Sequence, residues 1–330
     1  MIGCTIFAAV SGSSAATCAT IGKMTLPELA KRGYPEDITI GSLAGAGTLG
    51  LLIPPSIIMI VYGVSANVSI ARLFIAGILP GVLIGAMLMM LIWFLGRAGF
   101  VSYPPPQPFS WRELLIATRK SILALLAPIV ILRGMAAGWT TPTEAGILAV
   151  FYSIFVGALQ RTLSFEKLRH TLRETVEATA LIMYIIAVST ALAWVVVAEG
   201  TAGQLAELVS RYAHSQIVFL LATNVFLIII GGLIETLPAM LIALPILIPP
   251  AKALGIDMVH FGLVVIFNLV IGIMTPPMGI GLFILAAISK LRIGELVWAT
   301  IPFHIMLLIA LLLLTLFPEI TLLLPRLLMS

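Results

Sequence analysis

Leu49-Gly50-Leu51-Leu52-Ile53-Pro54-Pro55-Ser56 returns 222 residues later as Ile271-Gly272-Ile273-Met274-Thr275-Pro276-Pro277-Met278. The shared frame is Gly-x-x-x-Pro-Pro inside an apolar stretch. The same offset pairs Pro27 with Pro249, Gly33 with Gly255, and Pro80 with Pro302. It also sets Ser14 of Ser11-Gly12-Ser13-Ser14 on Thr236 of Glu235-Thr236-Leu237-Pro238. One ungapped offset running through the chain is an internal repeat.

Composition fixes the medium in which this repeat folds. The 330 residues are 61% hydrophobic and 10% charged, with a mean hydropathy of +1.17. Apolar stretches close to the roughly 20 residues of a membrane-crossing helix recur along the chain. The chain therefore reads as an all-α polytopic membrane protein. Tandem prolines remove backbone donors and stop a helix. In a membrane the freed backbone groups survive only where they line a cavity or bind something. Matching breaks in two halves point to the binding site of a secondary transporter.

Residues 38–66 are expected to form one span broken at Gly50 to Ser56, and residues 259–289 a second one. Spans are also expected at 72–96, 121–137, 144–160, 178–198 and 295–325. Thr141-Pro142-Thr143-Glu144 predicts a helix start, with Thr141 as N-cap and Pro142 in the first position. Ser164 to Glu177 is charged and amphipathic and leads into the span at 178. Ahead of each broken span lies a pair of apolar arms around a polar tip. The first tip is Ser11 to Ser14; the second is Glu235 to Pro238, whose second arm is expected to end at Pro249-Pro250. Both pairs read as re-entrant hairpins. Subtracting 222 from the second pair places the start of the first before residue 1, so further helices are expected ahead of this sequence.

Charge gives the orientation. With neither hairpin crossing, thirteen of the Lys and Arg residues fall on one side and five, Arg72, Arg133, Arg211, Lys252 and Arg326, on the other. The richer side is cytoplasmic by the positive-inside rule, and the C-terminus lies opposite. The hairpins then enter from opposite faces, which makes the repeats inverted and suits alternating access. The pI near 9.2 belongs to these loops and not to nucleic-acid binding, since no basic run is interleaved with aromatics. Cys4 and Cys18 have no metal spacing, and His170, His214, His260 and His304 lie far in sequence from both breaks. No constellation for an intramembrane enzyme is evident, and two occluding hairpins argue against a channel.

Hard cations are held by oxygens, which unwound carbonyls with Ser and Thr hydroxyls supply. One candidate Na⁺ site combines Ser11, Gly12 and Ser14 with Thr48, Gly50 and the carbonyls before Pro54. The other combines Glu235 and Thr236 with Gly272, Thr275 and the carbonyls around Pro276. The candidates for substrate contact are Ser13, Ser14, Glu235, Thr236, Pro238 and Met278. Close helix packing is the competing reading of the small residues, and capping of the following helix that of Glu235. Asn268 is expected to satisfy backbone freed by the second break.

These motifs carry a resemblance. SGSSAAT at 11–17, GTLGLLIPPS at 47–56, LFIAGILPG at 73–81, TPTEAG at 141–146, ETLPAMLIALPIL at 235–247 and IGIMTPPMGIGLF at 271–283 resemble the large, DctM-like membrane subunit of tripartite ATP-independent periplasmic transporters. The resemblance implies an elevator-type, Na⁺-coupled importer of a small organic acid (a C4-dicarboxylate, sialic acid or similar carboxylate) in a bacterial inner membrane, with no other cofactor. It implies two partners, a small four-helix membrane subunit and a periplasmic substrate-binding protein, and it extends the second candidate ion site to Gly279. It also divides the chain: 1–66 and 215–289 as the two halves of a transport domain, 67–214 as scaffold and amphipathic arm, and 290–330 as a last scaffold helix. A stand-alone ion-coupled anion carrier of the same architecture is the alternative.

Overall fold

A computed structural model describes residues 1–105, 109–136, 138–199 and 215–329. All regular structure among them is helical. In order these are α1 (Ile2–Ser11), α2 (Ser14–Lys31), α3 (Glu36–Leu52), α4 (Ile57–Ala66), α5 (Ile70–Arg97), α6 (Trp111–Ala136), α7 (Pro142–Leu159) and α8 (Phe165–Ala198). Then follow α9 (Gln216–Leu233), α10 (Thr236–Ala253), α11 (Met258–Ile271), a 3₁₀ turn (Gly272–Met274), α12 (Ile280–Ser289), α13 (Ile293–Leu316) and α14 (Glu319–Leu328). The expected loop charge Arg211 lies outside the described residues.

The repeat is written into the element bounds. Adding 222 to 14 and 31, the ends of α2, gives 236 and 253, the ends of α10. Adding it to 36 and 52, the ends of α3, gives 258 and 274, the span of α11 with its 3₁₀ turn. Both helices stop where Pro-Pro stops them. Pro54 and Pro55 cannot return bonds to the carbonyls of Gly50 and Leu51, nor Pro277 to that of Ile273. Both Pro-Pro bonds are cis. The axis bends by 43° between α3 and α4.

Packing is reciprocal between the halves. α4 rests on α10, and its counterpart α12 rests on α2, the counterpart of α10. At the centre α3 packs on α11, which is buried on every face from Val259 to Ile271. A helix that is apolar all round belongs inside. Tyr62 ties α4 to the start of α11 by donating to the Met258 carbonyl at 2.7 Å. Its ring lies over Gly262, where any side chain would collide with it.

α6, α7 and α8 are apolar yet largely exposed, with Ile129, Phe151, Phe155, Leu181 and Tyr184 uncovered. Such a surface belongs against lipid or a partner. Seven helices among the described residues are long and apolar enough to cross a membrane, or up to eight if the bent α3–α4 pair is one span.

Four expectations are corrected. The span expected at 295–325 is two helices, because Pro318 cannot continue α13 and draws Phe317 out of helical conformation (φ −120°, ψ 83°). The ion pair between Arg326 and Glu319 then ties the short α14 to itself at 2.9 Å. α6 starts at Trp111 and not near 121, so Arg112, Arg119 and Lys120 ride on the helix. α10 continues through Pro249-Pro250 to Ala253.

Fourth, Asn268 serves the packing and not the break. Its Nδ2 donates to both the backbone carbonyl and Oδ1 of Asn224 on α9, each at 3.0 Å. Asn224 Nδ2 in turn donates to Thr315 Oγ1 on α13 at 2.8 Å. Three helices are thus joined by a buried polar chain. Asn268→Leu keeps the volume but removes the donor from two buried acceptors. It is expected to destabilise the protein by about 1–3 kcal/mol, seen as a lower thermal-unfolding midpoint in detergent. An unchanged midpoint would show that the chain of amides locks nothing.

Candidate functional site

Each helical hairpin clasps the break of its own half. In the first, α1 ends at Gly12 (φ 59°), whose N–H donates to the Ala8 carbonyl. Ser13 is the N-cap of α2, its Oγ accepting from the Ala16 N–H at 3.3 Å. The Ser13 carbonyl accepts from Thr17 Oγ1 at 2.8 Å, and Ser11 Oγ lies 2.8 Å from Thr17 Oγ1. A side chain on Gly12 would collide with the Pro55 carbonyl, and a Cβ on Gly50 would lie 2.8 Å from the Ser13 carbonyl. Ser14 and Ser56 are buried, and their hydroxyls find no hydrogen-bond partner among the described residues. Thr48 is fully buried and donates to the Gly45 carbonyl at 2.6 Å.

In the second half a Cβ on Gly272 would collide with the Gly231 backbone, and one on Gly232 would lie 3.3 Å from the Pro276 carbonyl. The Met278 N–H donates to the Gly232 carbonyl at 3.1 Å, and the Gly279 N–H to the Thr275 carbonyl at 3.0 Å. Thr236 Oγ1 reaches the Leu269 carbonyl only at 3.5 Å. Gly231, Glu235, Thr236, Gly272 and Gly279 are among the residues lining a partly open cavity of about 10 Å³, close to the room needed by one water-sized particle. The halves differ in exposure: Pro54 is buried, while Pro276 and Met278 are exposed.

The two tips meet across a cavity of about 310 Å³, lined by Gly12 and Ser13 from the first tip and Glu235, Thr236 and Leu237 from the second. Leu51, Ile57 and Ile58 from the first break close one side, and Ala178, Leu181, Ile182 and Ile185 of α8 another. Helices α4 and α10 present their first residues to this space, and α2 its N-cap Ser13. Helix N-termini carry partial positive charge and favour an anion. Glu235 is the charged side chain among the lining residues. It holds the N-cap position of α10, where no hydrogen bond of full capping geometry forms, although its carboxylate faces the Leu237 N–H of the first turn.

Of the substrate candidates, Ser13, Glu235 and Thr236 line the large cavity; Ser14 and Pro238 do not, and Met278 lines the small one. The α8 stripe at 178, 181, 182 and 185 is one apolar helix face among many, and nothing in the sequence sets it apart. A histidine does reach a break: His304 Nε2 lies 3.2 Å from Thr275 Oγ1, although 29 residues separate them.

Several membrane-length helices, two matched breaks and a cavity between the clasping hairpins make this a multi-pass membrane protein. Residues 1–320 match the family described as "Tripartite ATP-independent periplasmic transporter, DctM component", and the chain belongs to it. It is 38% identical over 328 residues to the C4-dicarboxylate TRAP transporter large permease protein DctM of Pseudomonas aeruginosa, covering 99% of this chain and 76% of that one. It is 35% identical over 324 residues to the sialic acid TRAP transporter large permease protein SiaM of Vibrio cholerae, covering 98% and 75%. The isethionate TRAP transporter permease protein DctMQ of Oleidesulfovibrio alaskensis is 35% identical over 319 residues, which are 96% of this chain and 50% of that one.

Proposed function

We propose that this permease subunit imports a small organic acid together with Na⁺ across a bacterial inner membrane. The substrate class is a C4-dicarboxylate, a sialic acid or a similar carboxylate. A periplasmic binding protein delivers it, and a small membrane subunit accompanies the permease, as the names of the relatives suggest. The observation that carries the reading is the cavity between the two tips. It offers an anion three helix N-termini and two hydroxyls but also the carboxylate of Glu235, and among the described residues no Lys or Arg lines it. A carboxylate seated there needs cations nearby. Freed carbonyls and clustered Ser and Thr oxygens at the two breaks are the ligands a hard cation uses.

In this reading the first ion site takes Ser11, Gly12, Ser14, Thr48, Gly50 and the backbone at Pro54. The second takes Glu235, Thr236, Gly272, Thr275, Gly279 and the backbone at Pro276. The hairpins are re-entrant and the repeats inverted, which the reciprocal packing of α4 on α10 and α12 on α2 supports. Residues 1–66 and 215–289 move as one body against the remaining helices in an elevator cycle. The exposed apolar faces of α6 to α8 suit a static, lipid- and partner-facing scaffold. The C-terminus lies in the periplasm.

Uptake of labelled carboxylates into proteoliposomes tests this, using the permease with its small subunit and cognate binding protein. Uptake is expected to require an inward Na⁺ gradient and both partners. Uptake that persists without the binding protein would replace this reading with a stand-alone anion carrier.

A further inference from the structure

Thr275 and His304 meet at the second break in an arrangement whose protons can be counted. Thr275 Oγ1 lies 3.0 Å from the Ile271 carbonyl oxygen and 3.2 Å from His304 Nε2. His304 Nδ1 lies 3.4 Å from the Thr300 carbonyl oxygen, one turn earlier on α13. A hydroxyl carries one proton and a neutral imidazole one N–H. The Thr300 carbonyl can only accept, so the ring's N–H sits on Nδ1. Nε2 then holds a lone pair and competes with the Ile271 carbonyl for the one Thr275 proton.

That choice has a consequence for Ile271. With the hydroxyl proton turned to His304, the Thr275 oxygen and the Ile271 carbonyl stand 3.0 Å apart with no proton between them. Two facing oxygens repel unless a cation draws on both. An imidazolium would instead put a second positive charge beside that cation, which Coulomb repulsion disfavours. The Thr275 methyl faces Gly232 of α9, where an added Cβ would lie 3.4 Å from it.

We propose that His304 is a positioning residue for the Na⁺ site at the second break. By accepting the Thr275 hydroxyl proton it converts that oxygen and the Ile271 carbonyl into a ligand pair. Without a cation the proton returns to Ile271, the shorter contact, and the pair is closed. The pair does not recur at the matching positions of the first half, since subtracting 222 from 275 and 304 gives Ile53 and Val82. The two ion sites are therefore unequal in this respect. This inference rests on the Na⁺-coupled reading above.

The test is a Na⁺ titration of uptake in proteoliposomes holding the permease, its small subunit and its binding protein. His304→Leu is expected to raise the Na⁺ half-saturation about tenfold, equal to about 1.4 kcal/mol, while the maximal rate at saturating Na⁺ is kept. His304→Gln, whose Oε1 can accept the same bond, is expected within about threefold of wild type. In a Thr275→Val background His304→Leu should add no further shift, because the hydroxyl it positions is gone. An unshifted His304→Leu, a His304→Gln as impaired as His304→Leu, or a full extra shift in the Thr275→Val background would each overturn the inference. Wild-type uptake indifferent to Na⁺ would instead overturn the Na⁺ reading, and this inference with it.

Discussion

Gly12→Ala is expected to abolish uptake, while Gly33→Ala leaves it near wild type. Both glycines hold positive φ, 59° and 78°, so alanine pays a similar backbone cost at each, about 1–2 kcal/mol. The surroundings decide between them. A Cβ at Gly33 meets nothing within 4 Å, and the loss there is confined to stability. At Gly12 the Cβ would fall on the Pro55 carbonyl, a backbone group that can give way only by moving the break itself. The first hairpin must then lift from its break, pulling apart the oxygens assigned to the first ion site and one wall of the tip cavity.

Displacement of a binding geometry by about an ångström costs on the order of a hundredfold in rate, and Gly12→Ala should lose at least that. Gly50→Ala approaches the same contact from the other side, with its Cβ 2.8 Å from the Ser13 carbonyl. Initial uptake rates normalised to reconstituted protein, with thermal-unfolding midpoints for each variant, separate transport from folding. A Gly12→Ala transporter as fast as Gly33→Ala would show that the hairpin tip and the break are not functionally joined.

The contact was half legible in the sequence. The Gly-x-x-x-Pro-Pro frame and its 222-residue offset give the broken helices, because the loss of backbone donors at Pro54, Pro55, Pro276 and Pro277 is local chemistry. The bounds of α2 and α10 follow the same offset for the same reason: each starts beside a polar tip that interrupts an apolar stretch. What the offset does not carry is which backbone each glycine faces. Gly12 meets Pro55 in the first half, whereas Gly232 and Gly231 meet Pro276 and Gly272 in the second, although 232 less 222 is Val10 and not Gly12. The tips are built differently, one on a left-handed glycine and one on the extended residues Ile234 and Glu235. Long-range partners were invisible for a plainer reason. Asn268 with Asn224, Thr275 with His304, and the α8 stripe with the tips come together through packing of helices far apart in sequence. No local periodicity marks these residues. The division of α13 from α14 was legible at Pro318 but was hidden by the apolar residues on both sides.

Glu235 is the position where ion and substrate should act on each other. It lines both the 310 Å³ cavity between the tips and the 10 Å³ cavity at the second break. A carboxylate here repels an anionic substrate until a cation beside it offsets the charge, and the same carboxylate draws that cation in. Coupling between two ligands is a reciprocal free energy, so Na⁺ should lower the substrate KM of the wild type. Glu235→Gln keeps the shape and removes the charge. It is expected to raise the Na⁺ half-saturation at least about tenfold and to leave a substrate KM that hardly responds to Na⁺. Glu235→Ser separates this role from capping, because Ser is a strong N-cap residue with no charge. It should keep or raise the thermal-unfolding midpoint and yet show the transport defect of Glu235→Gln. Wild-type Na⁺ dependence in Glu235→Ser would reduce Glu235 to a helix cap and would leave the substrate's negative charge to be balanced by the three helix N-termini alone.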